Sequence, residues 1–190
     1  ALIFKGFAQS INGLEVLDAH ALANALEAGC NEAYSCIDKP TEGTILTVIR
    51  LAASKAISAA QKGKNAKEIF DAAVSGAKAS LKSTPNLLPV LKKHGVVDAG
   101  GQGLVYIMES MTKKSSDYVS ASSKPDIKSE SDEIKFMYCT EFLINTAQSD
   151  TGDLKKYFSQ IGDCSAVVPY SDFIKIHIHT NNPDKALAKG

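Results

Sequence analysis

The spacing of apolar residues changes period once along this chain, and that change limits the folds open to it. As far as about residue 114, apolar positions recur at three- and four-residue intervals, as amphipathic helices require. Beyond about residue 132 they alternate with polar ones, as half-buried strands require. Between the two lies Ser115-Ser116-Asp117-Tyr118-Val119-Ser120-Ala121-Ser122-Ser123-Lys124-Pro125, which is serine-rich, weakly apolar and without period. It reads as a linker. The expected architecture is multidomain, α and α+β: an antiparallel helical bundle or barrel over 1–114, a linker over 115–132, and a small βαββα domain over 133–190.

Local signals divide the first part into helices. Residues 1–11 look like the end of one. Asp18 is placed to cap a second that runs to about residue 37, with Leu22, Leu26, Ala33 and Ile37 as its apolar stripe, before Asp38-Lys39-Pro40 stops it. A third spans about 43–62, with Ile45, Val48, Ile49, Ala52, Ala56 and Ala60 on one face and Gly63 as its C-terminal cap. Asn65 opens a fourth through residue 82, which Thr84-Pro85 is expected to end. A short segment over 87–94 and a helix over about 101–111 follow. Alanine on the inward faces lets such helices approach closely.

The second part reads as strand 136–145, helix 151–161, strand 165–169 and strand 173–180, then a helix with Pro183 at its first position. That helix has barely two turns by Gly190, and the chain opens on Ala1 rather than Met. A segment of a longer protein is expected on both counts.

Composition excludes several function classes. Twenty-one basic residues balance twenty-one acidic ones, so no global charge favours nucleic acid or an anionic membrane. Aromatics make up 7% and tryptophan is absent, which disfavours a stacking platform for single strands. The four cysteines, Cys30, Cys36, Cys139 and Cys164, lack the density of a secreted disulfide scaffold. No apolar run reaches membrane-spanning length, and the chain reads as cytoplasmic.

Three stretches carry candidate chemistry. In Phe173-Ile174-Lys175-Ile176-His177-Ile178-His179-Thr180, strand alternation puts both imidazoles on one face. The other long strand carries Cys139. Two histidines and a thiolate from neighbouring strands would make a three-ligand metal site with an open fourth position, as in catalytic zinc. The competing reading is a pair of histidines on a solvated face and an unrelated core cysteine. Two glycine-centred loops lie at helix starts: Lys39-Pro40-Thr41-Glu42-Gly43-Thr44 and Gly95-Val96-Val97-Asp98-Ala99-Gly100-Gly101. Each offers free backbone N–H groups to an anion such as a phosphate. Taken alone, each is better explained by Thr44 and Asp98 as helix caps and the glycines as interhelical turns. Neither is a Walker loop.

Four ordered segments carry a resemblance: KPTEGTILTVIR at 39–50, TPNLLPVLKKHGVVDAGGQGLVYIMES at 84–110, YCTEFLI at 138–144 and FIKIHIHTNNP at 173–183. Together they resemble the bacterial fatty acid kinase A family, whose first domain is similar to the L subunit of dihydroxyacetone kinase. The resemblance implies that the helical part holds ATP and magnesium at one end of a helical barrel, with Thr41, Thr44, Asp98, Gly100 and Gly101 lining the nucleotide pocket. It implies that Cys139, His177 and His179 hold zinc, and are catalytic only if that zinc is. It further implies phosphoryl transfer from ATP to a fatty acid presented by a DegV-type lipid-binding protein, giving acyl phosphate for phospholipid synthesis. A homodimer is left open.

The sequence also departs from that family. The DGDTG motif that supplies its magnesium-binding aspartates and the glycine-rich GARGNSG stretch after it are not in this sequence. Magnesium ligands are therefore expected outside this chain, and the chain alone is not expected to turn over ATP, since phosphoryl transfer depends on metal to neutralise phosphate charge. Two other readings stand beside it. One is a dihydroxyacetone kinase-like enzyme acting on a small hydroxyl compound. The other is a non-catalytic helical interaction domain joined to a zinc-binding α+β module. Glu42 and Glu141 are candidates for supporting roles around the two sites.

Overall fold

A computed structural model describes residues 1–112, 135–146 and 150–190, so the expected linker lies outside the described residues, as does the lysine pair at 113–114. The chain divides into two compact units, one helical and one built on a sheet.

The helical unit contains α1 (Leu2–Ile11), α2 (Ala19–Cys36), α3 (Ile45–Gln61), α4 (Ala66–Leu87), α5 (Pro89–His94) and α6 (Ala99–Thr112). Its boundaries follow from capping chemistry. Asp18 accepts the Ala21 N–H at 2.8 Å and opens α2. Asn65 and Glu68 form a reciprocal capping box at the start of α4. At the end of α3, the Lys64 N–H reaches the Ala59 carbonyl and the Gly63 N–H reaches that of Ala60. This is a Schellman closure, and it requires Gly63 to take a left-handed φ of 70°.

Several boundaries differ from the sequence reading, among them the starts of α6 at Ala99, β1 at Tyr138 and β2 at Gly162, and two in this unit have a clear physical cause. Helix α3 begins at Ile45 rather than residue 43, because Gly43 has a φ of 85° and Thr44 is the cap. Helix α4 does not stop at Thr84-Pro85 but continues to Leu87 with Pro85 inside it. Pro85 has no N–H for the Leu81 carbonyl four residues back, and the Thr84 hydroxyl donates to that carbonyl instead, at 2.7 Å. The proline thus leaves no orphaned acceptor there, which lowers the usual cost of a proline inside a helix.

The core of this unit joins α2, α3, α4 and α6 through Leu26, Val48, Ile49, Ile69, Leu81, Leu104 and Met108, with alanines 52, 53, 56, 59, 60, 73 and 77 between them. Small residues at the crossings bring the backbones together. A Cβ on Gly29 would lie 2.5 Å from the Ile3 carbonyl oxygen, and one on Gly101 would lie 2.8 Å from Val48 Cγ2.

The second unit follows the expected order: β1 (Tyr138–Asn145), α7 (Gly152–Ile161), β2 (Gly162–Pro169), β3 (Phe173–Thr180) and α8 (Pro183–Lys189). The strands lie in the order β1-β3-β2, and both pairings are antiparallel. The β2–β3 hairpin thus inserts β3 between β1 and β2, which run parallel to each other and are joined through α7. Ile174, Ile176 and Ile178 of β3 are buried with Val167, Phe158 of α7 and Ala186 of α8. The alternate residues of β3, including both histidines, therefore stand on the opposite face of the sheet.

Candidate functional site

Strand register assembles the first candidate site. Cys139 of β1 pairs with His179 of β3, and Glu141 pairs with His177. On the other side of β3, Asp163 of β2 pairs with His179 and Ala166 with His177. Directly paired residues share a face, so Cys139, Glu141, Asp163 and both histidines are neighbours on one surface. Asn181 helps to fix this register. Its side chain accepts the Met137 N–H at 2.8 Å and donates to the Lys135 carbonyl at 3.0 Å, tying the chain just before β1 to the end of β3.

The donor atoms of Cys139, His177 and His179 all lie within 4.8 Å of one another. The imidazole centroids are 5.3 Å apart and the rings are tilted by 59°. A tetrahedral zinc holds its sulfur and nitrogen ligands about 3.3–3.8 Å apart, given bonds of about 2.3 and 2.0–2.1 Å. The three groups therefore fit a zinc ion after a contraction of at most about 1–1.5 Å, and soft thiolate with imidazole is a donor set that zinc prefers. Each imidazole also has a carboxylate at its Nδ1: Glu141 is 3.5 Å from His177 Nδ1, and Asp163 is 3.6 Å from His179 Nδ1. Carboxylates in that position orient metal-bound imidazoles and leave Nε2 as the free donor. A hydrogen bond and charge from Lys175, 2.9 Å away, hold the Glu141 carboxyl below its ordinary range, with His177 adding to the effect.

Strand β2 departs from regular pairing here. The register shifts between Asp163 and Ala166, and Cys164 inside this bulge has a φ of 50°, in the left-handed region. For a cysteine that conformation costs on the order of 1 kcal/mol. Burial pushes its thiol up, with the charges of Asp163 and Cys139 pushing in the same direction. The donor atoms of Asp163, Cys164 and His179 form a second cluster, again within 4.8 Å of one another. Sequence reasoning passes over Cys164. Its placement in a bulge has no periodic signature, although the Gly162-Asp163-Cys164 run before a strand is a visible cue.

The second candidate site belongs to the helical unit. A Cβ on Gly100 would lie 3.4 Å from Ile45 Cβ, so the N-terminal ends of α3 and α6 are neighbours. The two glycine loops singled out in the sequence therefore stand side by side. The Asp98 carboxylate accepts the Gly101 N–H at 2.6 Å, and the Asp98 N–H donates to Thr84 Oγ1 at 3.1 Å. Thr44 Oγ1 accepts the Leu46 N–H at 3.3 Å and donates to the Thr41 carbonyl at 2.7 Å. Thr44 and Asp98 thus cap α3 and α6. Gly101 is buried where α6 meets α3 and α4, while Thr41 and Gly100 are exposed.

Glu42 organises the first of these loops. Its carboxylate accepts from Arg50 Nη2 at 2.6 Å, Thr47 Oγ1 at 2.8 Å and Tyr34 Oη at 2.9 Å. Thr47 Oγ1 in turn accepts the Gly43 N–H at 2.7 Å. The Arg50 hydrogen bond, followed by those from Thr47 and Tyr34, holds the Glu42 carboxyl below its ordinary range. The sequence marks Glu42 without its partners, because Tyr34 lies on α2 and only the fold brings it near. His20 and His94 are both exposed on the helical unit and belong to neither cluster.

Comparison with known proteins gives two family matches in tandem. Residues 1–113 match the DAK2 domain, and residues 135–190 match the middle domain of fatty acid kinase A-like proteins. Protein YloV of Bacillus subtilis is 36% identical to the chain, over 97% of the chain and 37% of its own length. An uncharacterized protein of Staphylococcus saprophyticus is 35% identical over 99% of the chain and 37% of its own length. One from Staphylococcus aureus is 34% identical over 99% of the chain and 38% of its own length. The chain thus spans less than two fifths of these relatives.

Proposed function

Because the chain belongs to the fatty acid kinase A-like family, we propose that it is the section of a kinase polypeptide that joins a nucleotide-binding domain to a zinc-holding middle domain. The whole protein would transfer the γ-phosphate of ATP to the carboxylate of a fatty acid, presented by a DegV-type lipid-binding protein, and release an acyl phosphate for phospholipid synthesis. The observation that carries this reading is the tandem order of the DAK2 domain and the fatty acid kinase middle domain. A dihydroxyacetone kinase-like activity would account for the first match and leave the second unexplained.

In this reading the adjacent N-termini of α3 and α6 receive the phosphates of ATP. Thr41, Thr44, Asp98, Gly100 and Gly101 line that end. The aligned peptide dipoles of two helix N-termini favour an anion there. Magnesium would come with the nucleotide, and its aspartates belong to a DGDTG motif that this sequence does not contain. The chain by itself is therefore not expected to turn ATP over. Zinc would be held by Cys139, His177 and His179, with Glu141 and Asp163 orienting the rings. A bound zinc supplies either a fixed cross-link between strands or a Lewis acid. The reading puts the protein in the cytoplasm, with its ATP. No helix among the described residues is long and apolar enough to cross a membrane.

The deciding assay uses the full-length protein with ATP, magnesium and a fatty acid loaded on a DegV-type carrier, trapping acyl phosphate as its hydroxamate. Product that depends on the carrier and fails to form with small ketoses is the expected outcome. Phosphorylation of dihydroxyacetone without acyl phosphate would replace the proposal with the small-molecule kinase.

A further inference from the structure

We propose that Cys164 is a fourth protein ligand, closing the centre formed by Cys139, His177 and His179 as a two-thiolate, two-imidazole zinc site. This rests on the zinc reading above and changes its meaning. With three protein ligands the metal keeps an exchangeable position for water or substrate, whereas four leave none.

The geometry that supports it is the overlap of two clusters. Cys139, His177 and His179 gather on one side of β3, and Asp163, Cys164 and His179 on the other, each set with its donor atoms within 4.8 Å. His179 belongs to both. It lies on the central strand, between its register partners Cys139 on β1 and Asp163 on β2. The donors of Cys139, Cys164, His177 and His179 do not all lie within 4.8 Å of one another, so a bound metal would draw the Cys164 thiolate in toward the other three. The bulge in β2 falls between Asp163 and Ala166 and contains Cys164. In an unbroken strand, residue 164 would face away from its neighbour Asp163. The bulge re-aims it, and β-bulges commonly serve to redirect one side chain at a site.

Asp163 and Cys164 then divide the work. The Asp163 carboxylate faces His179 Nδ1 at 3.6 Å, where it orients the ring. The thiolate is the softer donor and the better zinc ligand of the two. A metal so held takes ligands from all three strands: Cys139 from β1, Cys164 from β2 and the histidines from β3. It cross-links a sheet whose β1 and β2 are not hydrogen-bonded to each other. The zinc then braces the middle domain and takes no part in bond-making at the acyl group.

X-ray absorption at the zinc edge of the unmodified chain counts its sulfur ligands directly. Two sulfurs and two nitrogens are expected, and one sulfur with an added oxygen would overturn the proposal while leaving the three-ligand site in place. Absence of bound zinc would remove both. Cobalt-loaded variants give a second readout. Cys164→Ser and Cys139→Ser should each lose about half of the thiolate-to-cobalt charge-transfer absorbance. In chelator competition each should lower zinc affinity by more than the ~10–100-fold typical of partners outside the ligand shell. Asp163→Asn should keep the full absorbance. If Cys164→Ser matches the unmodified chain in absorbance and affinity, Cys164 is not a ligand.

Discussion

The helical unit and the sheet unit are specified over different distances along the chain. In the helical unit most boundaries are set by groups three to five residues apart: Asp18 with Ala21, Asn65 with Glu68, Lys64 with Ala59 and Asp98 with Gly101. In the sheet unit the decisive contacts join distant segments. Cys139 is paired with His179, and Asn181 holds the backbone at Lys135 and Met137. The candidate nucleotide end can therefore be read from local caps, whereas the candidate zinc site exists only once β1 and β3 are in register. Damage should spread differently in the two units.

The largest effect is expected from Gly162→Ala. A Cβ there would lie 2.1 Å from the His179 carbonyl oxygen, and backbone cannot swing aside as a side chain can. A loss of about 3 kcal/mol, at the upper end of ordinary overpacking, is expected together with loss of zinc uptake. Urea denaturation of the sheet unit's signal and metal analysis check both outcomes. A stable variant that binds zinc normally would show that the β2–β3 register is less demanding than the structure implies.

Gly101→Ala in the helical unit should cost less, about 1–2 kcal/mol. Its new Cβ meets the tips of Val48 and Leu81, at 2.8 and 3.2 Å, and those side chains can shift. The helical signal should melt earlier while zinc binding stays unchanged. Parallel loss of zinc would show that damage to the helical core reaches the zinc ligands. Asn65→Ala removes one half of the capping box and should lower stability by about 1 kcal/mol, again without effect on zinc. Denaturation followed by helical ellipticity measures it.

The smallest effect concerns pH. The Glu42 carboxyl lies below its ordinary range when folded, chiefly through the Arg50 hydrogen bond. Its contribution is therefore present above the unfolded carboxylate value and is lost as pH falls through the folded one. Both side chains are nearly half exposed, at 46% and 47%, so the pair is worth only about 0.2–1 kcal/mol. Arg50→Gln should flatten the acid limb of stability below about pH 4.5 by that amount. Urea midpoints across that range show whether it does, and an unchanged slope would remove the pair from the account.

The fold is legible in the sequence to the extent that it is periodic or punctuated. The βαββα order, the single change of period and most helix starts follow from spacing and from Asp, Asn, Thr and Gly at the ends. Pro85 misleads because its helix-breaking effect is offset by the Thr84 hydroxyl, a compensation that only coordinates reveal. The alternation in β3 is sufficient to put His177 and His179 on one face. It says nothing of which residues flank them.

Sequence alone determined the components: two histidines at strand spacing, a cysteine on another strand, and two glycine loops at helix starts. Tertiary structure decided their company. It placed Cys139 and Asp163 on either side of His179, bent β2 so that Cys164 came beside Asp163 and His179, and set the starts of α3 and α6 beside each other. The physical reason is range. Capping and side-chain alternation act over a few residues, whereas pairing of strands and packing of helices depends on which buried faces fit together across the whole chain.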